Sequence, residues 1–105
     1  MTALTWRVRA TVLRIIDGDT FAANLDLGWG VQRLEVRGAL SRVRILGRNA
    51  PERGKPGFVE ATAALAAVLP PGAVVWLTSH SLDSFGRALA EVHMLDGRAL
   101  TELLP

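Results

Sequence analysis

Cysteine and tyrosine are both missing from this 105-residue chain, and lysine occurs once, as Lys55. The absence of cysteine excludes a disulfide framework and any metal site built on thiolates. No apolar run approaches the roughly 20 residues of a membrane-spanning helix, and residues 1–9 show no apolar core of a signal peptide. We therefore expect a cytoplasmic protein with no membrane partner.

The overall charge is also small. Twelve basic and ten acidic residues give a net charge of +2, which is too little to drive strong non-specific binding to nucleic acid. Eleven of the twelve basic residues are arginine, whose planar guanidinium suits phosphate geometry. Any nucleic-acid contact is therefore expected to be local. With 50% hydrophobic and 21% charged residues, the chain predicts one folded domain over residues 1–105.

The hydrophobic pattern predicts a mainly β, α+β fold. Strand-like alternation occurs at residues 8–16, 20–27, 31–36, 42–46, 73–78 and 87–95. Apolar residues at helical spacing predict one helix at residues 58–69, ended by Pro70-Pro71-Gly72, and a short helical end at residues 98–104. Residues 47–57 and 79–85 are expected to be loops. Many short strands with one intervening helix favour a small closed antiparallel barrel.

Three clusters of charged residues interrupt this pattern at the junctions of predicted elements. The first is Asp17-Gly18-Asp19-Thr20, an Asp-Gly turn in which Gly18 can adopt a positive φ. The second joins Arg44 to residues 49–52 (Asn-Ala-Pro-Glu), and the third is residues 83–87 (Asp-Ser-Phe-Gly-Arg). Singly, each has an ordinary explanation as a turn, a helix lead-in or a surface arginine. Together they supply the groups that phosphodiester hydrolysis needs.

The residue types suggest a role for each group. Three positions offer hard oxygen ligands to a cation: Asp19, Asn49 and the backbone carbonyl of Ala50. Such a set favours Ca²⁺ or a similar hard ion over zinc. Glu52 is the candidate general base or water-positioning group. Arg44 and Arg87 are the candidate phosphate-binding side chains.

Six segments, in this order and at this spacing, resemble the staphylococcal nuclease-like family. They are residues 17–20 (DGDT), 43–47 (VRILG), 49–52 (NAPE), 69–72 (LPPG), 83–90 (DSFGRALA) and 96–97 (DG). The resemblance extends over about residues 9–101. It implies a five-stranded OB-fold β-barrel and a Ca²⁺-dependent nuclease that hydrolyses DNA or RNA with little sequence specificity and leaves 3′-phosphates.

The resemblance also implies a role for individual residues. Arg44 and Arg87 correspond to the two catalytic arginines of the family, and Glu52 corresponds to the catalytic glutamate. Three positions correspond to the metal site: Asp19 as a ligand, Ala50 through its carbonyl, and Asp17 as an acidic residue that acts on the metal through water.

Asn49 departs from the family pattern, because the best-known members have a second metal-binding aspartate there. Since Ca²⁺ affinity depends on the number of charged ligands, we expect a weak, about millimolar, site. Phe85 replaces a common tyrosine and remains a candidate substrate contact, as does Lys55. Trp29 and Trp76 are candidates for base stacking, but the pattern favours a packed turn for Trp29 and the core for Trp76.

Two segments differ from the best-known members in length. Residues 28–41 predict an extended hairpin, and the chain ends at Pro105 without the further C-terminal helix that is usual in the family. We therefore expect apolar surface at Leu100, Leu103 and Leu104, which self-association could cover.

Two rival readings remain open. An OB-type barrel can bind single-stranded nucleic acid or a protein without cleaving anything, and Asn49 favours such a weak or inactive module. Arg44, Glu52 and Arg87 favour the enzyme. A scaffold domain that keeps the fold for stability alone is the third reading.

Overall fold

The computed structural model describes residues 6–33, 42–82 and 88–104. These residues form strands β1 (Trp6–Asp17), β2 (Thr20–Gly28), β3 (Val31–Arg33), β4 (Arg42–Ile45), helix α1 (Phe58–Val68), strands β5 (Val74–Leu82) and β6 (Ala88–Met94), and a 3₁₀ helix at Leu100–Leu103. Among these elements, no helix has the length and apolar character needed to cross a membrane.

Five of the strands close into a barrel. The order is β1–β5–β6–β4–β2, and β2 pairs again with β1 to complete the circle. Strand β3 pairs with residues 25–28 of β2, beyond the residues 20–22 that pair with β4. The predicted closed barrel with one main helix is thus confirmed. One detail of the prediction is wrong, because β4 and β6 run parallel. The chain passes through α1 and β5 between these two strands, which gives it the crossover that a parallel pair requires.

Strict alternation along the strands places one face of each in the core. On β1, Val8, Ala10 and Val12 are buried, and Arg7 and Arg9 on the other face are exposed. Strand β4 buries Val43 and Ile45 in the same way. Because successive side chains of a strand point to opposite faces, the arginines that alternate with these apolar residues all lie on the outside of the barrel.

Helix α1 covers part of this core. It follows Gly57, which has a φ of 87°, and it packs against β1. Leu65 and Leu69, at helical spacing, are fully buried. The helix ends one residue earlier than predicted, and Pro70 then prevents its continuation.

Three predictions about side chains and segments are wrong. Residues 79–82 belong to β5 rather than to a loop, because β5 continues its ladder with β6 past a bulge between Ser79 and Ser81. Trp76 is half-buried on the outer face rather than in the core. Trp29 does not pack in its turn but is fully exposed.

The prediction of exposed apolar surface at the C-terminal end is also wrong, above all for Leu100. Leu100 is fully buried against the barrel, and Leu103 and Leu104 are half-buried. The reason is that the 3₁₀ helix folds back onto β6, aided by a bridge between His93 and Ala99. The positions of these leucines therefore do not support self-association through this surface.

Position 18 requires glycine for a reason other than the expected positive φ. Its φ is not positive. Instead, an added Cβ would lie 2.6 Å from the Cβ of Ala50 and 2.8 Å from the Cβ of Ala61. The glycine therefore allows the β1–β2 turn to approach both the loop after β4 and helix α1.

We predict that Gly18→Ala destabilises the protein by about 1–3 kcal/mol, because two Cβ contacts become too short. Denaturant unfolding measures the change. The double variant Gly18→Ala/Ala50→Gly removes the closest contact and should recover part of the loss. Wild-type stability in Gly18→Ala would contradict this packing argument.

Candidate active site

The β1–β2 turn forms one side of the candidate site. The backbone N–H of Asp19 donates to Oδ1 of Asp17 (3.1 Å), and the Thr20 hydroxyl donates to Oδ1 of Asp19 (3.1 Å). The Gly18 carbonyl accepts a hydrogen bond from Nε of Arg48 (2.7 Å). These bonds fix two carboxylates at the end of the barrel where the turn meets α1.

Strand β4 forms the second side. Arg44 lies opposite Thr20 in the ladder between β2 and β4, and the N–H of Ile45 donates to the backbone carbonyl of Asp19 (2.9 Å). This register brings Nη2 of Arg44 within 3.4 Å of Oδ2 of Asp19. The same nitrogen donates to Oδ1 of Asn49 (3.1 Å). The guanidinium therefore faces both side chains that were predicted as metal ligands.

The loop after β4 forms the third side. The N–H of Ala50 donates to Oδ2 of Asp19 (3.3 Å), so Asp19 is held by backbone as well as side-chain donors. A polar cavity of about 130 Å³ opens between the three sides. Its lining residues are Asp17, Asp19, Arg44, Ala50, Pro51 and Glu52.

The two aspartates differ in their tendency to ionise. Burial and a hydrogen bond with Asp19 raise the pKa of the Asp17 carboxyl. Burial also disfavours the charged form of Asp19, but hydrogen bonds with Asp17, the Ala50 N–H and Thr20 outweigh it, and the Arg44 charge adds to them, so the pKa of Asp19 is lowered. As the pH rises, Asp19, next to the guanidinium, therefore ionises before Asp17.

The structure brings together most of the predicted site residues. Those that line the cavity or contact its lining are Asp17, Asp19, Arg44, Asn49, Ala50 and Glu52. Lys55 is exposed and its N–H donates to the Glu52 carbonyl, but it is not part of the cavity lining. The third predicted cluster, which includes Phe85 and Arg87, lies outside the described residues.

Arg48 contributes to the site but was not predicted. Its bond to the Gly18 carbonyl ties the loop after β4 to the β1–β2 turn. In the sequence it is one of eleven arginines, and no spacing rule separates it from those on the surface. Only the fold shows that it points back to the turn.

The atoms around the cavity that could coordinate a metal are oxygens of the kind that Ca²⁺ prefers. Carboxylates of Asp17 and Asp19 and the amide oxygen of Asn49 meet this description, and the residues therefore fit a hard cation. Within the described ranges, no three acidic or histidine side chains are arranged to hold an ion by themselves. A cation here would need amide, carbonyl or water oxygens in addition.

Comparison with known proteins adds no further constraint. No protein-family model matches the chain, and no curated protein is significantly similar to it.

We predict that Asp19→Asn lowers stability at neutral pH by about 1–2 kcal/mol, because Arg44 and the Ala50 N–H lose a charged acceptor. A carboxyl group whose pKa is lowered on folding stabilises the protein at pH values above its ordinary pKa of 3.8. This contribution disappears as the pH falls through the folded-state pKa. The difference between wild type and variant should therefore shrink on acidification, as measured by denaturant unfolding from about pH 7 to pH 3.

The matched control is Asp96→Asn, which removes a fully exposed carboxylate that pairs with Arg98. Its effect should be smaller than that of Asp19→Asn at neutral pH. A stability difference for Asp19→Asn that is absent at neutral pH, or grows on acidification, would contradict the role given to this carboxylate.

Proposed function

We propose that this chain is a Ca²⁺-dependent nuclease that hydrolyses phosphodiester bonds of DNA or RNA and leaves 3′-phosphates. The observation that carries the proposal is the convergence of three carboxylates and one guanidinium on a single cavity: Asp17, Asp19, Glu52 and Arg44. They come from the β1–β2 turn, β4 and the loop after β4. The resemblance to the staphylococcal nuclease-like family supports the same conclusion.

The barrel topology supports an OB-type assignment. Read in chain order, the five barrel strands pair so that the first contacts the second and fourth, while the third contacts the second and fifth. The helix lies between the third and fourth barrel strands. Such an order is typical of a five-stranded Greek-key barrel and supports the proposed OB-fold, a fold class that commonly binds oligonucleotides.

Arg44 is suited to hold a phosphate during hydrolysis. Its side chain is partly exposed, and Nη2 faces acceptors on Asp19 and Asn49. Among the described residues, these acceptors contact only Nη2 of the guanidinium and fix its orientation, so its other N–H groups can face the phosphate oxygens. Charge that develops on those oxygens in the transition state then meets a donor already in position.

Glu52 is suited to handle the attacking water. It lines the cavity and is exposed to solvent, so its carboxylate can contact a water molecule there. In the proposed reaction Glu52 accepts a proton from water, the water oxygen bonds to phosphorus, and the bond from phosphorus to the 5′ oxygen breaks. The 5′ oxygen takes up a proton from solvent as it leaves, and the phosphate remains on the 3′ side.

The acidic turn and Asn49 would hold the cation. Asp19 would be the charged ligand, with Asn49 and the Ala50 carbonyl beside it and Asp17 acting through water. When bound, Ca²⁺ would supply positive charge next to the phosphate.

Arg87 is proposed as the second phosphate-binding arginine on the resemblance alone. The next described residue, Ala88, pairs with Val43 beside Arg44.

We predict that Glu52→Gln abolishes most Ca²⁺-dependent cleavage, by about 100-fold or more, because the amide cannot accept the proton from water. The assay follows degradation of single-stranded and plasmid DNA with Ca²⁺ or with EDTA. Because Glu52 is exposed, the variant should unfold at the same denaturant concentration as the wild type.

The control is Glu102→Gln, which replaces an exposed glutamate in the 3₁₀ helix. This variant should cleave DNA as the wild type does. Equal cleavage by Glu52→Gln and wild type would contradict the role of Glu52. Absence of cleavage by the wild type with every divalent ion tested, together with measurable binding, would replace the nuclease with the binding-module alternative.

We predict that Asn49→Asp tightens Ca²⁺ binding by about tenfold, because it adds one negative charge to the ligand set. Calorimetric titration with Ca²⁺ measures the affinity, and the Ca²⁺ concentration for half-maximal cleavage provides a second readout. An unchanged or weaker response to Ca²⁺ would show that Asn49 does not contribute to the ion site.

One observation favours the binding-module alternative. Arg44 already pairs with Asp19 and donates to Asn49, so the carboxylate proposed as the charged cation ligand has a positive partner without a cation. A barrel of this kind holds its shape without a cation, and it can present an arginine to nucleic acid without cleaving it.

A further inference from the structure

The outer face of β1 and β5 carries an arginine–tryptophan cluster, which we define as Arg7, Arg9 and Trp76. The guanidinium carbon of Arg7 lies 4.6 Å from the centre of the Trp76 ring, and that of Arg9 lies 5.1 Å from it. Arg9 is directly opposite Trp76 in the ladder. Cation–π contacts of this kind hold a guanidinium in a fixed orientation.

Both arginines remain open to solvent. They are exposed, whereas Trp76 is half-buried beneath them. One neighbouring carboxylate, Asp26, lies opposite Arg9 on β2, and it accepts a hydrogen bond from the Gly28 N–H (3.0 Å). Within the described residues the cluster therefore has two positive charges against one negative charge, an arrangement that favours a bound anion.

The cluster borders two grooves. One has a volume of about 190 Å³ and runs between the cluster and Gly28, at the end of β2. The other has a volume of about 330 Å³ and is lined by Arg9, Thr11 and Asn24 among others. Arg9 and Asp26 line both grooves, so a chain-like ligand that follows them passes over the Arg9 guanidinium and beside one carboxylate.

Trp29 lies at the tip of the hairpin that follows Gly28. Gly28 pairs with Val31, so Trp29 and Gly30 form a two-residue loop. Their φ values are 58° and 74°, and loops with two positive φ values favour Asn-Gly over any bulky residue. The tryptophan is fully exposed. The backbone conformation thus disfavours tryptophan at this position, and burial of the ring does not compensate for it. This combination points to a contact with a ligand.

We propose that the arginine–tryptophan cluster and Trp29 form a second contact for single-stranded nucleic acid. Arg7 and Arg9 hold the phosphates, and Trp29 stacks on a base. Stacking on aromatic side chains and arginine contacts to the backbone are the two features of sequence-independent single-strand binding. The choice of nucleic acid over another polyanion rests on the proposed function, whereas the contact itself does not require cleavage.

This contact lies far from the acidic cavity. From Arg9 to Asp17 strand β1 advances eight residues, or about 25 Å at the usual rise of a strand. A dinucleotide in the cavity cannot reach both regions, but a longer strand can. The second contact should therefore strengthen binding of long strands and leave short ones unaffected.

The test measures binding of a dT oligonucleotide of about 16 nucleotides in EDTA, where a Ca²⁺-dependent enzyme does not cleave. Trp29→Asn should weaken binding about tenfold through loss of stacking, and it should remove most of the quenching of tryptophan fluorescence. Asparagine suits the turn, so this variant should fold at least as stably as the wild type.

The second variant is Arg7→Gln/Arg9→Gln. It should reduce the slope of log binding constant against log salt concentration by about 0.7 for each lost phosphate contact. Arg98→Gln is the matched control, because it removes an exposed arginine on another part of the surface and should leave the slope unchanged. A change in fold alone would not alter the slope in this graded way.

Unchanged affinity, salt slope and quenching in both variants would overturn the proposal. Loss of a concentration-dependent dimer in Trp29→Asn, with oligonucleotide binding intact, would also overturn it and assign Trp29 to a contact between copies of the chain. These outcomes are independent of the nuclease test, since binding in EDTA is measured without cleavage.

Discussion

One buried carboxylate joins the three segments on which the candidate site depends. The backbone carbonyl of Asp19 accepts the Ile45 N–H, and its side chain accepts the Ala50 N–H and faces Arg44. The β1–β2 turn, β4 and the loop after β4 are therefore tied together at one residue. Gly18 completes the junction, because the absence of a Cβ lets the turn approach Ala61 in α1. The contacts that join β2 to β4 are consequently also contacts of the site.

The same carboxylate has two possible partners, and this gives the site its character. Arg44 neutralises Asp19 without any ion, and a hard cation would use the same negative charge. In the proposed nuclease, a cation would share Asp19 with Arg44. Asn49 would add a ligand oxygen without a further negative charge, so the proposed site would be weak because of its ligand set.

Much of the fold follows from the alternation of buried and exposed residues along each strand, but the order of the strands around the barrel does not. The alternation of Val8, Ala10 and Val12 with Arg7 and Arg9 predicted the inner and outer faces of β1 correctly. The parallel pairing of β4 with β6 depends on a crossover that no local pattern encodes. Apolar composition misplaced Trp76, whose ring packs under two arginines instead of in the core. Motif order anticipated the gathering of Asp17, Asp19, Arg44 and Glu52, whereas Arg48 could be found only from the folded chain.

The central claim is that this cavity hydrolyses a phosphodiester bond by attack of water. The most direct measurement is mass spectrometry of a defined oligonucleotide after incubation with the protein and Ca²⁺ in ¹⁸O-labelled water. The claim predicts fragments with a 5′-hydroxyl and a 3′-phosphate that carries one ¹⁸O atom from solvent. An oligonucleotide that remains intact, or is cut to fragments with 5′-phosphates, would contradict it.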